Sequence, residues 1–272
     1  MDLNGPLLLV GCGKMGGALL SGWLARGLDA AQAVVIEPVA AAAEAAAQHG
    51  VTCLDDLAAR RADFAPAVVV FAIKPQMMDE ALPAYRDLVR PEAVFLSIAA
   101  GKTIGFFERH LGREAAVVRA MPNTPAAVGR GITVLCANPR VSGGQREICG
   151  ALMSAVGETA WVEEESLLDP VTAVSGSGPA YVFLLIEALA QAGVEAGLPE
   201  TLAMRLARET VAGAGELARR SPEDAATLRK NVTSPGGTTQ AALEVLMADD
   251  GLRALMTRAV AAAARRSREL AS

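Results

Sequence analysis

The sequence predicts an α/β fold in which a doubly wound, mostly parallel β-sheet is followed by an all-α domain. Strand-like and helix-like segments alternate up to about residue 162, a glycine-rich loop joins the first strand to the first helix, and strand patterns stop after residue 162. Such alternation is typical of a sheet covered by helices on both faces. We therefore divide the chain into residues 1–162 and residues 163–272.

Six segments of the first domain have the apolar character of strands, and Ala-rich stretches such as residues 40–49 separate them as helices. Residues 68–73 are continuously apolar, as expected for a parallel strand covered on both faces. The predicted strands are Leu7–Val10, Val34–Glu37, Val68–Ile73, Val94–Ile98, Ala116–Arg119 and Thr133–Cys136.

Apolar residues of the second domain recur at helical spacing. Ser177 is a predicted capping residue and Pro179 suits a first helical turn, so a helix is expected from Tyr181 to Ala196. Further helices are predicted at residues 199–217, 239–247 and 252–270. Because so small a bundle has several apolar faces to cover, we expect it to pair with its copy in a homodimer.

Composition indicates a globular chain without nucleic-acid, membrane or metal partners. Of its 272 residues, 52% are hydrophobic and 20% charged, and the net charge of −5 comes without a basic stripe. The most apolar segment, residues 179–198, carries acidic residues, so a membrane span is not expected. Four widely spaced cysteines without a C-x-x-C pair fit a reducing cytoplasm and offer no zinc site. His49 and His110 are expected to be separate surface residues.

A glycine-rich loop follows the first predicted strand directly. Gly11, Gly13 and Gly16 form a G-x-G-x-x-G pattern before a helical stretch, and Glu37 ends the next strand 21 positions after Gly16. In a Rossmann-like dinucleotide site, the first glycine permits the tight turn, the second admits the pyrophosphate, the third allows close helix packing, and the acid bonds the ribose. The predicted cofactor-binding residues here are Gly11, Gly13, Lys14, Met15, Gly16 and Glu37. The alternative is a purely structural glycine turn.

Three more loops follow later strands, where an open α/β sheet binds its ligand. Lys74 either contacts a phosphate or ribose or is a solvated loop lysine. Asn123 either orients the nicotinamide or caps a turn. The small residues 99–101 leave room for a flat ring. The cofactor-binding candidates in these loops are Ala72, Lys74, Pro75, Ala99, Ala100 and Asn123.

Residues 231–240 read N-V-T-S-P-G-G-T-T-Q and lead into a helical pattern. Gly236 and Gly237 are expected to leave their backbone N–H groups unobstructed at the helix N-terminus, where the helix dipole presents about +0.5 of a charge. Ser234, Thr238 and Thr239 add hydroxyl groups. The pattern predicts a cradle for a small anion such as a carboxylate. The alternative is an ordinary helix cap after a turn.

The sequence offers little acid catalysis. Reduction of a ketone leaves an alkoxide, so such dehydrogenases supply a proton from His, Lys or Tyr. Both histidines fall outside the motifs above, and neither tyrosine has the Tyr-x-x-x-Lys spacing. An imine protonated in solution accepts hydride without an enzymic proton donor, so positioning can supply most of the catalysis. Within the acidic run 163–165, Glu165 is the residue expected to face a site.

Together these motifs resemble those of the pyrroline-5-carboxylate reductase family. They occur in the family's order and span nearly the whole chain. The matching segments are residues 11–16 (GCGKMG), 72–76 (AIKPQ), 121–126 (MPNTPA), 171–181 (VTAVSGSGPAY) and 234–239 (SPGGTT). The resemblance implies reduction of 1-pyrroline-5-carboxylate to L-proline, the last step of proline synthesis. It also implies a dinucleotide-binding domain, a helical dimerisation and substrate-binding domain, and dimers assembled into larger rings.

The resemblance further implies roles for single residues. The Ser234–Thr239 loop would hold the substrate carboxylate, across the dimer interface from the nicotinamide bound by the partner. Thr239 would bond the ring nitrogen, Glu165 would be an acid near the substrate, and Asn231 would contact the cofactor. Hydride would pass directly from the reduced nicotinamide to the imine carbon, without a covalent intermediate.

The expected cofactor is NADH or NADPH, with a preference for NADH. Glu37 is followed by Pro38-Val39-Ala40-Ala41, which offers nothing to pair with a 2′-phosphate, and Glu37 would repel one.

Two alternative functions stay open. Another imine or β-hydroxyacid reductase should carry a catalytic Lys or Asp within residues 179–197, where the only charged residues are glutamates. A dinucleotide-sensing module without turnover would have no need of the Ser234–Thr239 loop.

Overall fold

The computed structural model describes residues 3–271, with side chains for residues 3–270. Met1, Asp2 and Ser272, which the predicted domain ranges include, lie outside the described residues. The chain forms two compact units: the first runs to Gly176 and resumes at Ala263, and the second is Ser177–Ala262. Residues 163–176 pack with the first unit because Leu168 is buried in its core. The functional division at residue 162 stays a prediction.

Within the described residues, the first unit contains an eight-stranded sheet of order β3-β2-β1-β4-β5-β6-β7-β8. All neighbouring pairs are parallel except β6 and β7, which are antiparallel. The strands are β1 (Leu7–Val10), β2 (Ala33–Ile36), β3 (Thr52–Leu54), β4 (Val68–Phe71), β5 (Val94–Ser97), β6 (Ala116–Met121), β7 (Gly131–Ala137) and β8 (Gly157–Trp161). The predicted doubly wound, mostly parallel sheet is confirmed.

Helices connect the strands and then make up the second unit. In the first unit they are α1 (Lys14–Ala25), α2 (Ala40–Ala47), α3 (Met78–Ala81), α4 (Ile104–Leu111), α5 (Gly143–Ser154) and α6 (Leu168–Val171), with a π-helix at Thr172–Gly176. The second unit holds α7 (Gly178–Glu195), α8 (Glu200–Arg220), α9 (Ala225–Asn231), α10 (Thr238–Leu246) and the start of α11 (Leu252–Ala271).

Alternate residues of β1 face opposite sides of the sheet, as the two-residue repeat of a strand requires. Leu7 and Leu9 belong to one buried cluster, which includes residues of α1 and α5. Leu8 and Val10 belong to a second cluster, which includes Phe107 of α4. Both faces of the sheet are therefore covered, and this explains why its central strands are apolar throughout.

The sequence does not predict the two edge strands, β3 and β8, or helix α9. Strand β3 has only three residues, and β8 alternates between half-buried and exposed ones, so neither shows the apolar run of a central strand. Ser177 occupies the N-cap position of α7, but the predicted capping by its side chain is wrong. Its backbone is helical and its side chain makes no capping hydrogen bond, because the preceding π-helix leads directly into α7.

Small residues bring α7 and α8 close together in the second unit. A Cβ atom at Gly193 would lie 3.2 Å from the Cβ atom of Ala203. Ala190, Ala203 and Ala207 are all buried. The Ala- and Gly-rich sequence of these helices therefore allows their backbones to approach closely.

Other faces of these helices are apolar and exposed. Phe183 and Leu184 of α7 are 59% and 62% exposed. Among the described residues, the stretch Glu165–Glu195 has the length and hydropathy of a membrane span, with a mean hydropathy of 1.4. A single helix of this kind is weak evidence for a membrane, because core helices of other proteins meet the same criteria.

Candidate active site

The glycine loop joins β1 to α1 at the carboxyl end of the parallel strands. Gly11 has a φ of +90°, which favours glycine, and its N–H donates to the Ile36 carbonyl at 2.8 Å. A Cβ atom at Gly16 would collide with the Gly11 carbonyl oxygen, whereas one at Gly13 would meet nothing within 4 Å. The loop therefore has the tight turn, the close helix packing and the open backbone that the sequence predicts.

The N-terminus of α1 is open to an anion. Gly13 precedes the first helical residue, Lys14, and no side chain caps this end. The first N–H groups of a helix have no partner within it, and the helix dipole favours negative charge beside them. Because a Cβ atom at Gly13 would occupy this approach, the glycine keeps it open to a pyrophosphate, so the loop fits a dinucleotide. Lys14 is exposed and Met15 is half-buried.

Glu37 follows β2, and both of its carboxylate oxygens bind backbone near the loop. Oε2 accepts a hydrogen bond of 2.7 Å from the Cys12 N–H, and Oε1 accepts one of 3.0 Å from the Val39 N–H. Only 7% of Glu37 is exposed. Burial and the neighbouring Glu37 carboxylate raise the pKa of the Cys12 thiol to about 11, so this thiol is neutral at neutral pH. Further lone pairs on the Glu37 oxygens are available to ribose hydroxyls.

The loops after β4 and β5 also lie at the carboxyl end of the sheet. Lys74 is exposed and precedes a short 3₁₀ turn, Pro75–Met77, which leaves both alternatives for this lysine open. Ala72 is half-buried, Ala99 is buried and Ala100 is exposed. The expected room for a flat ring at residue 101 is taken by α11, since a Cβ atom at Gly101 would lie 3.0 Å from the Leu270 carbonyl oxygen.

Asn123, after β6, holds its own loop together. Its Oδ1 accepts a hydrogen bond of 2.9 Å from the N–H of Ile132 in β7. Asn123 precedes the 3₁₀ turn Thr124–Val128 but makes no side-chain capping hydrogen bond to it, so the contact indicates a structural role in joining β6 to β7 rather than the predicted turn cap. In the described part of the chain, the Asn123 side-chain amide nitrogen donates to no protein group, so the nicotinamide alternative also stays open.

Glu165 is paired with a residue that the sequence analysis did not single out. Arg119 of β6, with 4% of its side chain exposed, donates from Nη1 to Glu165 Oε1 at 2.9 Å. The N–H of Ile104, which begins α4, donates to the same oxygen at 2.8 Å. Glu163 is exposed and pairs with Arg146 at 2.7 Å. Within the acidic run, Glu165 therefore faces inward, and its predicted place at a site stays a prediction. The signal that could have identified Arg119 is a charged residue within the otherwise apolar strand sequence A-V-V-R-A-M.

Buried thiols and the histidines add no catalytic group. Burial raises the pKa of Cys149 to about 12, and burial, reinforced by Glu165, raises the pKa of Cys136. The described residues contain no cluster of three His, Cys, Asp or Glu side chains suited to a metal ion. His49 is exposed, as expected. His110 is instead half-buried, with its ring 4.5 Å from that of Phe106.

The Ser234–Thr239 loop leads into α10 in the second unit, and its last two residues, Thr238 and Thr239, begin that helix. Gly236 has a φ of +69°, and its N–H donates to Gln240 Oε1 at 2.7 Å. The Gly237 N–H donates to the Ser234 carbonyl at 3.1 Å. The expectation that both N–H groups are unobstructed is therefore wrong, because the loop satisfies them with its own acceptors.

The first turn of α10 supplies open donors instead. The first intrahelical bond runs from the Ala241 N–H to the Gly237 carbonyl at 3.2 Å. The N–H groups of Thr238 and Thr239 precede it and have no partner within the helix. No side chain caps this end. An anion at this position would meet two N–H groups and the positive end of the helix dipole.

The predicted residues fall into two groups. Those of the first unit meet at the carboxyl ends of the parallel strands. Those of the second unit are Ser234–Thr239 and Asn231, whose amide donates to Glu223 Oε2 at 3.0 Å. The cofactor contact of Asn231 and the substrate contacts of the loop stay predictions.

The fold and the glycine loop define a dinucleotide-binding oxidoreductase with a helical second unit. Residues 7–101 match the family model for NADP oxidoreductase, coenzyme F420-dependent, and residues 165–270 match the model for pyrroline-5-carboxylate reductase dimerisation. The pyrroline-5-carboxylate reductase of Pseudomonas aeruginosa is 42% identical over 266 residues, which cover 97% of this chain and 96% of that protein. The chain belongs to the pyrroline-5-carboxylate reductase family.

Two solved structures support this assignment. A pyrroline-5-carboxylate reductase from Coxiella burnetii has a TM-score of 0.92 and 35% sequence identity, covering 98% of this chain and 99% of that one. The pyrroline carboxylate reductase of Plasmodium falciparum, solved with NADP bound, has a TM-score of 0.82 and 28% identity, with both chains fully covered.

Proposed function

We propose that this protein reduces 1-pyrroline-5-carboxylate to L-proline with NADH or NADPH, by direct hydride transfer to the ring imine carbon. The observation that carries the proposal is the pair of uncapped helix N-termini, at Gly13 and at Gly237. The first suits the pyrophosphate of a dinucleotide, and the second suits the carboxylate of a small substrate. We also propose that the reaction takes place in the cytoplasm.

The first unit holds the cofactor in this proposal. Gly13 and the first turn of α1 receive the pyrophosphate, and Glu37 receives the adenosine ribose. When bound, the reduced nicotinamide supplies the hydride. The other residues proposed to contact the cofactor are Gly11, Lys14, Met15, Gly16, Ala72, Lys74, Pro75, Ala99, Ala100, Asn123 and Asn231.

The Ser234–Thr239 loop holds the substrate carboxylate, with the Thr238 and Thr239 N–H groups as its donors. The Thr239 hydroxyl bonds the ring nitrogen. The Glu165 carboxylate lies near this nitrogen and favours the protonated imine, which accepts hydride readily. No enzymic acid is required, because the nitrogen already carries its proton.

Self-association completes the site. The exposed apolar faces of α7 and α8 are covered by a second copy, as the match to a dimerisation family supports. The Ser234–Thr239 loop of one subunit then meets the cofactor bound by its partner. Dimers assemble further into a ring.

NADH is the preferred cofactor in this proposal. A 2′-phosphate would lie close to Glu37, whose buried carboxylate would repel it, and the next four residues carry no positive charge. A kcat/KM ratio that favours NADPH by about tenfold, equivalent to about 1.4 kcal/mol, would contradict this preference.

The deciding experiment mixes the protein with 1-pyrroline-5-carboxylate and each reduced cofactor, and follows the loss of nicotinamide absorbance while proline is measured. Equal amounts of proline formed and cofactor oxidised are expected. A six-membered ring imine and a β-keto acid serve as competing substrates. Cofactor binding without substrate-dependent oxidation would identify a dinucleotide-sensing module instead.

A further inference from the structure

We propose that Arg119 and the backbone N–H of Ile104 are positioning groups for the reaction: they hold one oxygen of Glu165 and leave the other to face the charged nitrogen of the substrate. The inference rests on the proposed function and on the place of Glu165 near the substrate.

The location of Arg119 is the first support. In the β5–β6 ladder it pairs with Ser97, the last residue of β5, two residues before the cofactor candidate Ala99. Its neighbours Val118 and Ala120 are buried and apolar. The guanidinium therefore lies at the end of the sheet where the cofactor is proposed to bind.

A buried arginine in this strand is not explained by stability. Removing a charge from water costs free energy that an ion pair only offsets, and replacing such a pair by apolar residues is often neutral or stabilising. Arg119, the partner of Glu165, is only 4% exposed. By contrast, Glu163, two residues before Glu165 in the acidic run, makes an ordinary solvated pair with Arg146. The buried pair is therefore better explained by what it does to Glu165.

The geometry of the Glu165 carboxylate is the second support. Its Oε1 accepts two hydrogen bonds, 2.9 Å from Arg119 and 2.8 Å from Ile104. Across the described residues, Oε2 accepts none, and the side chain is 28% exposed. Two donors on one oxygen fix the carboxylate plane and leave the second oxygen as an oriented acceptor.

The N-terminus of α4 adds a fixed direction to this contact. Ile104 is the first residue of the helix, so its N–H has no partner within α4 and points out of the helix end. Thr103 caps the same end through the Phe106 N–H. Glu165 is thus held by a rigid helix end as well as by a strand.

A double-mutant cycle tests whether Arg119 acts through Glu165. Arg119→Met and Glu165→Gln should each lower kcat/KM by about ten- to hundredfold, with an unchanged NADH dissociation constant in fluorescence titration. The double variant should be no less active than the less active single variant, because Arg119→Met frees the Glu165 carboxylate from its fixed orientation and Glu165→Gln removes its charge, so each loses the same oriented carboxylate. Arg146→Met, which breaks the solvated pair, should leave kcat/KM unchanged.

A second pair of variants tests the Ile104 bond should Arg119→Met fail to fold. Ile104→Pro removes the N–H donor, together with part of a buried side chain, at a position where proline is tolerated, since Thr103 already has the extended backbone that precedes proline. Ile104→Ala keeps the donor and shortens the side chain similarly. We expect Ile104→Pro to lower kcat at least about fivefold more than Ile104→Ala.

The outcomes separate the two proposals. Wild-type protein that does not oxidise cofactor with 1-pyrroline-5-carboxylate would overturn the proposed function. An active wild type with multiplicative losses in the double variant, or with equal kcat for the two Ile104 variants, would overturn the positioning role alone.

Discussion

The Oε2 atom of Glu37 accepts a hydrogen bond of 2.7 Å from the backbone N–H of Cys12, so the acid that ends the second strand is fixed to the glycine loop. This contact joins the two parts of the sequence that predict dinucleotide binding. It places a buried negative charge beside the backbone that is proposed to receive the cofactor, and it makes the cofactor preference a testable property of one side chain.

Replacing this acid should change the choice between the two cofactors. Glu37→Ala removes the charge that repels a 2′-phosphate and the acceptor proposed for the ribose hydroxyls. We expect the ratio of kcat/KM for NADPH to that for NADH to rise about tenfold, equivalent to about 1.4 kcal/mol. Glu44→Ala, at an exposed position of α2, is the control. An unchanged ratio would show that Glu37 does not contact the ribose end.

Adjacent glycines of α1 should respond in opposite ways to alanine. A Cβ atom at Gly16 would collide with the Gly11 carbonyl oxygen, whereas one at Gly17 would lie 3.7 Å from the Cys12 carbonyl oxygen in ordinary contact. Gly16→Ala should lower the free energy of unfolding by about 1–3 kcal/mol and weaken NADH binding at least about tenfold, as the loop is displaced. Gly17→Ala should raise the free energy of unfolding by up to about 1 kcal/mol.

Urea unfolding and NADH titration measure both effects. Equal behaviour of the two variants would mean that α1 is not packed on the loop as described.

Loss of one hydroxyl should separate turnover from cofactor binding. Thr239→Val keeps the shape of the side chain but removes the group proposed to bond the ring nitrogen. We expect kcat/KM for 1-pyrroline-5-carboxylate to fall about tenfold or more, while the NADH dissociation constant is unchanged. Thr257→Val is a suitable control, because Thr257 is exposed and its hydroxyl donates to the Arg253 carbonyl within α11. Weaker NADH binding in Thr239→Val would assign the threonine to the cofactor instead.

Charges on the exposed face of α7 should disrupt the dimer. The double variant Phe183→Glu/Leu184→Glu introduces two carboxylates where the partner is expected to bury apolar side chains. We expect elution as a monomer at micromolar concentration and loss of activity, with the helical circular dichroism retained. Ala62→Glu adds a charge to an exposed loop of the first unit and should change neither property. A wild type that is itself monomeric would refute the interface.

The buried thiol of Cys149 should make stability depend on alkaline pH. Burial raises the pKa of this thiol from 9.0 to about 12, so the folded form keeps its proton where the unfolded form loses it. Its contribution is complete below pH 9 and is lost as the pH rises toward 12. Between pH 8 and pH 10.5, the free energy of unfolding should therefore fall by roughly 2 kcal/mol more in the wild type than in Cys149→Ala. Identical pH dependence in the two proteins would show that the thiol is not buried.

Local patterns were sufficient to predict the central strands, the glycine loop and most helices of the second unit. Strand β4 is apolar throughout because helices cover both faces of the sheet, and its composition therefore reports its burial. The spacing of Gly11, Gly13 and Gly16 is readable because each glycine meets a steric demand within a few residues of itself. The edge strands β3 and β8 were not predictable in this way, since half-exposed strands lack an apolar run.

The sequence by itself determined the class of sheet, the cofactor loop and the family to which the chain belongs. Only the tertiary structure decided that Arg119 holds Glu165 and that α11 fills the space beside Gly101. It also decided a third feature: the N–H groups of Gly236 and Gly237 donate hydrogen bonds to Gln240 and Ser234. The first two contacts join residues far apart in the chain, so neither has a sequence period or a fixed spacing. The third combines a backbone turn from Ser234 to Gly237 with the Gln240 side chain, which folds back onto Gly236, and the spacing of the motif does not specify that side-chain position.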